Sequence, residues 1–455
     1  MSSIGRLQVQ VLKGNSSIPI SNAEITISRT VRGMREQVST LTTSQEGQSP
    51  VVDLEAPPVE LSLNKDNKIM PYGLYDILVK VPGYDNLEIN GCQILSDETA
   101  IQVCNMQLAR ISRETGEAET NVIVIDIQPN RQYGDFPPKI PEDPNKPLPP
   151  PPSGLVVLPE PVVPEYIIVH AGTPSNSSAP NYKVPYRDYI KNVASSEIYA
   201  TWPEATIRAN VYCIISFTLN RIYTEWYKGQ GYDFDVTNST AYDQAFSYGR
   251  NIFETIGKVV DDIFSTYVKR GGAKQPLLTQ YCDGRNVKCP GWLTQWGSKD
   301  LGEQGYVPYE ILTNFYGNDI VLEKAKEVQG SPKSYPGYVL KVGSSGDAVK
   351  TTQEFLNRIA QNYPLIPKVP VNGQYDAKTA EQVKTFQQIF NLPQTGEVDY
   401  ATWYKISAIY VGVTKIAELR SEEFVEQEYG IFIPPTPPFW NIKETRIRYP
   451  KNPTR

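Results

Sequence analysis

The chain has 455 residues, room for about two to four domains, and 40% hydrophobic with 21% charged residues is enough to build packed cores. Its 44 basic and 50 acidic residues give a net charge of −6, which lacks the dense basic footprint of a nucleic-acid binder, so no nucleic acid is expected as partner. No run of about 18 apolar residues occurs, so no membrane span is expected either.

Tyrosine is abundant at 29 residues, with 6 tryptophans. Such rings offer flat apolar faces with a polar handle, suited to sugar stacking or to an ordinary core and rim. The five cysteines are Cys92, Cys104, Cys213, Cys282 and Cys289, an odd count that is not a disulfide framework. Cys282 and Cys289 are compatible with a short loop disulfide or with two thiols. His170 is the single histidine. A catalytic zinc wants about three protein ligands, usually with histidine among them, so no metal and no cofactor is expected. Met1 to Gln10 shows no basic start followed by an apolar core, so no signal peptide is read there.

In chain order, residues 1–127 read as a β-sandwich. Arg6 to Val11, Ala23 to Ile27 and Tyr75 to Val81 alternate with period two, and Pro82-Gly83-Tyr84 breaks the last of these strands. This part resembles transthyretin-like or carboxypeptidase-regulatory-like domains. It suits a pro-domain, a docking module or a folding spacer. Residues 128–164 read as a Pro-rich linker. Pro147 to Pro152, then Pro159, Pro161 and Pro164, favour an extended, exposed form open to proteases. The apolar window Leu155 to Leu158 makes Val156 and Val157 the candidate processing position.

Residues 165–330 form the central region. Tyr166 to His170 reads as a strand. A helical stretch is predicted from about Tyr186 through Ile222. A second is predicted from about Thr240 to Lys269, where Ala245, Phe246, Ile252, Phe253, Ile256, Val259, Val260 and Ile263 recur at helical spacing. Residues 335–412 hold further helical runs at Ala348–Gln361 and Ala377–Phe390. Residues 413–455 are a C-terminal extension, proline-rich and basic at its end.

One stretch bears chemistry: Val193-Ala194-Ser195-Ser196-Glu197-Ile198-Tyr199-Ala200-Thr201-Trp202-Pro203. Burial among apolar groups favours the protonated form of a carboxylic acid, which can then donate a proton to a glycosidic oxygen. Pattern alone favours instead a glutamate placed near a helix start.

This stretch resembles the SpoIID/LytB family, on Ser196, Glu197, Trp202 and Pro203. The likeness continues through Gly231 to Val236, Tyr242 to Ala245, Leu293 to Tyr306 and Tyr309 to Gly317, about 150 residues in all. It implies an α+β domain whose catalytic acid is Glu197, with Ser196, Tyr281, Gln295 and Trp296 as candidate substrate-binding residues. Two departures stand out. Cys289-Pro290-Gly291 replaces a His-Gly pair, and Ile215 stands where an Arg is usual. The zinc ligands of some members have no counterpart around Val236 to Tyr242.

A second resemblance, to type 1 peptidoglycan-binding domains, runs through Leu340 to Lys350, Gln353, Leu356, Asn357, Val371 to Asp376, Thr379, Val383, Phe386-Gln387, Leu392, Thr395 to Asp399 and Thr402-Trp403. It implies a small three-helix fold cored by Leu356, Val383, Phe386 and Trp403, with Gln353 and Gln387 bonded internally.

The order of the parts resembles that of spore cortex-lytic enzymes. That implies a multidomain α+β zymogen, placed at the spore cortex and activated by a subtilisin-like germination protease. Its partner would be cortex peptidoglycan, cleaved as a lytic transglycosylase between N-acetylmuramic acid and N-acetylglucosamine. Three alternatives stay open at this point: an N-acetylmuramoyl-L-alanine amidase, a non-catalytic peptidoglycan-binding morphogenetic protein, and a phage-type lysin.

Overall fold

The computed structural model describes residues 3–112, 118–140, 142, 160–287 and 289–414. The processing window at Val156 and Val157, the proline run from Pro147 and the C-terminal extension lie outside the described residues, apart from residues 413 and 414.

The N-terminal part is built from β1 (Ser3–Lys13), β2 (Glu24–Val31), β3 (Met34–Thr42), β4 (Val52–Ala56), the short helix α1 (Glu60–Leu63), β5 (Gly73–Lys80), β6 (Asn86–Ile94), β7 (Thr99–Met106), the small pair β8 (Arg110–Ile111) and β9 (Ala118–Glu119), and β10 (Val122–Asp126). One sheet runs β10-β6-β5-β2-β3, and β7-β1-β4 form most of another. Alternation puts Leu7, Val9 and Val11 of β1 and Ile25 and Ile27 of β2 in the core with no exposed surface.

The central part opens with β11 (Val162–Val163), β12 (Tyr166–His170) and β13 (Asn181–Pro185). Helices α2 (Tyr186–Glu197) and α3 (Glu204–Tyr223) follow, then β14 (Val236–Thr237), β15 (Ile252–Phe253), α4 (Glu254–Ile263), β16 (Thr266–Arg270), β17 (Tyr281–Cys282), β18 (Leu293–Thr294), α5 (Gln295–Glu303), α6 (Pro308–Tyr316), β19 (Ile320–Lys324) and β20 (Glu327–Val328). The long α3 is buried over most of its surface, with Ile207, Val211, Ile214, Ile215, Phe217 and Leu219 in the core. It is the central rod of this region, packed by α2, α4, α5, α6 and β16.

Two helix expectations need correction. The stretch predicted as one helix from Tyr186 to Ile222 is two, because Pro203 starts a new helix and residues 198–202 turn between them. The helix predicted from Thr240 to Lys269 is helical only over α4. Gly249 adopts φ of +73°, and a Cβ there would lie 2.7 Å from Ile125 Cγ2. Asn251 brackets Gln93, its Oδ1 accepting from Gln93 N at 3.0 Å and its Nδ2 donating to Gln93 O at 2.9 Å. β15 then adds to the N-terminal sheet, with Ile252 opposite Ile101 and Phe253 opposite Ala100. Docking on the neighbouring sheet overrides helical spacing that the apolar residues also fit.

The linker reading of 128–164 is corrected at its start. Asn130, Arg131, Gln132 and Lys139 are buried to within 5% of full enclosure. They cross the central region instead of standing in solvent.

The C-terminal unit packs α7 (Asp347–Ile359), α8 (Ala377–Ile389) and α9 (Tyr400–Thr414) around Leu356, Val383, Phe386 and Trp403, all buried. It also touches the first β-region. Tyr363 OH donates to Ser17 O at 2.7 Å, and Gln48 Nε2 donates to Ile389 O at 2.7 Å.

Candidate active site

Glu197 is the last residue of α2 and has no exposed surface. The chain reaches it through a helix that buries Tyr189, Ile190, Val193 and Ala194, so the carboxylate is carried into the interior by its own helix. Oε1 accepts from the backbone N–H of Ala245 at 2.7 Å, and Oε2 accepts from Gln295 Nε2 at 3.2 Å. Ala245 and Gln295 lie 48 and 98 residues beyond Glu197 in sequence, and the fold brings the three to one point.

Tyr281 is the next wall. Its hydroxyl accepts from Gln244 Nε2 at 3.1 Å, while Gln244 Oε1 accepts from Tyr189 OH at 3.0 Å and Thr218 Oγ1 at 2.8 Å. Burial, and then the nearby Glu197 carboxylate, push the Tyr281 phenol well above its ordinary range. The Cys282–Cys289 disulfide closes the loop between β17 and β18, so the pair Tyr281 and Gln295 is tied at its base. The other three cysteines are buried thiols. Burial pushes Cys92 up to about 12.

Asp243 is close by in sequence but fully committed. It accepts from Arg221 Nε at 2.8 Å, Tyr227 OH at 2.6 Å, and Thr237 N and Oγ1 at 2.9 and 2.8 Å. It positions the turn that offers the Ala245 N–H.

The other sequence candidates fall as follows. Ser196 is buried at the end of α2, and its hydroxyl has no hydrogen-bond partner among the described residues. Trp296 is buried against Trp202, ring centroids 4.9 Å apart. Trp202 in turn donates from Nε1 to Ser62 O at 3.0 Å. Ile215 is core. His170 is bonded to Asn181 Oδ1 at 2.8 Å and stacks on Phe234. Among the described residues no three His, Cys, Asp or Glu side chains gather as a metal site, and no helix is long and apolar enough to cross a membrane.

Residues 128–140 and Glu142 hold what sequence reasoning missed. Arg131 Nη1 lies 3.7 Å from Glu197 Oε1. Gln132 Nε2 donates to Glu197 O at 2.7 Å and to Gln295 Oε1 at 2.6 Å. Lys139 Nζ donates to Asp243 O at 2.9 Å and sits over the rings of Phe217 and Tyr281, 4.5 and 4.9 Å from their centroids. Burial, reinforced by Arg131, pulls the Lys139 ammonium down to about 7. Glu142 grips Arg221 with both oxygens, at 2.9 and 2.6 Å.

Residues 345–406 match the peptidoglycan binding domain family. No curated protein matches the chain. The matched domain is held by two buried glutamines. Gln353 Nε2 donates to Gln374 O at 2.9 Å and Thr379 Oγ1 at 3.1 Å, and its Oε1 accepts from Asn372 N and Gly373 N. Gln387 repeats the device with Glu397 O, Thr402 Oγ1 and Gly396 N. A peptidoglycan-binding domain gives the protein a cell-wall-related function with peptidoglycan as its partner.

Proposed function

We propose that the protein degrades spore cortex peptidoglycan as a lytic transglycosylase of the SleC type, and that it is made as a zymogen cut near Val156 and Val157 by a subtilisin-like germination protease. The observation that carries this reading is the convergence on one buried carboxylate, Glu197, of Gln295, the Ala245 N–H and the Tyr281 wall, in a chain that also holds a peptidoglycan-binding domain.

Glu197 gives its proton to the oxygen between N-acetylmuramic acid and N-acetylglucosamine. The C1–O bond breaks and positive charge develops on C1 of the muramyl sugar. The carboxylate left behind takes the proton from the C6 hydroxyl of that sugar, whose oxygen attacks C1. The products are a 1,6-anhydro end and a free 4-hydroxyl. Gln295 and the Ala245 N–H keep the carboxyl aimed through both transfers. This route needs one carboxyl, whereas ordinary glycoside hydrolysis uses two. Asp243, with four donors on it, is not free to serve as the second.

The test is to digest cortex peptidoglycan with the full chain, after a subtilisin-like protease has cut the linker, beside its Glu197→Gln version, and to weigh the products. Anhydro-muropeptides from the wild type, falling about 10²–10⁴-fold in the variant, are expected. Reducing ends would make it a hydrolase, and freed stem peptides an amidase. Equal product from both versions would remove Glu197 from the reaction.

A further inference from the structure

We propose that residues 128–140, with Glu142, form a strap that occupies the glycan groove, so that the uncut chain keeps its own substrate out. This rests on reading Glu197 as the acid, and it concerns the regulation of that site.

The strap is bonded to the site along its whole described length. Gln128 N donates to Ser247 Oγ at 3.0 Å. Asn130 Nδ2 donates to Ser195 O at 3.1 Å and Ile198 O at 3.2 Å, and Arg131 N donates to Ser196 O at 2.7 Å. With Gln132 on Glu197 O, the strap satisfies the last carbonyls of α2, which the helix itself leaves open. Farther along, Ile140 N donates to Ala241 O at 2.7 Å, and Glu142 exchanges two bonds with the Gln280 side chain at 2.9 and 2.6 Å. A sugar chain brings hydroxyls and acetamido N–H groups that can meet the same carbonyls. The faces of Phe217 and Tyr281 now under Lys139 are surfaces on which a pyranose can stack.

The strap also sits there at a cost. Arg131 Nη1 and Nη2 and Gln132 Oε1 are buried with no hydrogen-bond partner among the described residues. A buried cation held only by an ion pair at 3.7 Å is poorly compensated. Permanent cores seldom carry three such atoms within two adjacent residues. The Arg131 guanidinium stands beside Glu197, where the reaction places positive charge on C1.

A cut in the linker falls C-terminal to the strap. The strap then remains joined to the β-region, and it is held there by Gln93 Nε2 on Gln128 O at 3.2 Å. The cut therefore frees one end, and activity appears when the strap peels away.

The uncut full chain tests this, as wild type, Arg131→Ala and Glu142→Ala. Among the described residues Glu142 binds Arg221 and Gln280 at the far end of the strap, and Arg221 keeps its bond to Asp243, so the loss of the Glu142 side chain should leave the fold in place. Binding of tetra-N-acetylchitotetraose is read from amide exchange at 195–198 and 245, and turnover from soluble fragments released from peptidoglycan. Expected is no binding and no turnover for the uncut wild type, with tighter binding by tenfold or more and measurable turnover in both variants. Wild type binding the oligosaccharide as tightly as the variants would overturn the strap, and so would variants that bind no better than wild type. If no version turns over, even after the linker is cut, the proposed function fails, and the oligosaccharide binding still decides the strap by the same comparison.

Discussion

Gln353 and Gln295 are both glutamines with essentially no exposed surface, yet they keep different company. Gln353 bonds only within the peptidoglycan-binding domain, to neutral partners that fix the turn at Gly373. Gln295 bonds to the Glu197 carboxylate and to Gln132 of the strap. Around it the hydroxyls of Ser195 and Ser196, Gln132 Oε1 and two Arg131 nitrogens have no described partner. Gln353 and Gln387 have both ends of their amides bonded, which favours one arrangement of the turns they hold, while Gln382 Oε1 is the one side-chain atom of residues 345–406 that is buried without a described partner. A site with spare polar atoms and a poorly compensated cation is arranged for a second occupant.

pH gives the widest separation of the two regions. Burial pulls Lys139 down to about 7 in place, and it returns to its ordinary range near 10.5 when the strap opens and water reaches it. Between about pH 7 and 10.5 the open form binds the extra proton, so opening grows harder as pH rises, by up to about tenfold per unit. Below about 7 both forms are protonated and the dependence flattens. The groups facing Lys139 are Arg131, Glu197, Asp243 and Arg221. Amide exchange of 130–132, corrected for intrinsic rates, should slow steeply across that window. Gly373 and Gly396, held by neutral glutamines, should stay flat. Lys139→Met should remove the slope at the strap, and a slope that survives it would assign the titration elsewhere.

The sequence makes the two regions unequally legible, for the same physical reason. In residues 340–403 the turn glycines, the helical spacing and both glutamines lie within one short stretch, so local pattern and final structure agree. Around Glu197 the acid and the Ser196 to Pro203 stretch stand out, and so do the segments of Tyr281 and Gln295. The strap does not. Arg131, Gln132 and Lys139 precede a proline run and have the composition of an exposed linker, and only contacts with residues 60–160 positions away bury them. The pairing of Arg221 with Asp243 is hidden similarly, because a buried ion pair across 22 residues leaves no periodic trace. The over-long helix from Thr240 arose because apolar residues docking on a foreign sheet can share the spacing of an amphipathic helix.

Gln353→Leu tests the satisfied side. The change leaves the buried Gly373 N–H without its acceptor. An unpaired buried donor costs about 1–3 kcal/mol, expected as a lowered unfolding midpoint and as weakened retention on peptidoglycan sacculi. A midpoint within error of wild type would mean that water replaces the glutamine, and the contrast with Gln295 would lose one of its halves.

Ser196→Ala carries the smallest expected change in stability and bears directly on the other half. The Ser196 hydroxyl is buried with no described partner, so deleting it removes a desolvated group and no bond. Stability should move by less than about 0.5 kcal/mol, in either direction. Binding need not follow stability. If the hydroxyl is kept for a saccharide, oligosaccharide affinity in the strap-weakened Glu142→Ala background falls when Ser196→Ala is added, while the unfolding midpoint stays put. A loss of 2 kcal/mol or more in stability would mean that the hydroxyl is already bonded in the folded chain, and the site around Glu197 would then be as fully satisfied at this position as the binding domain is at Gln353.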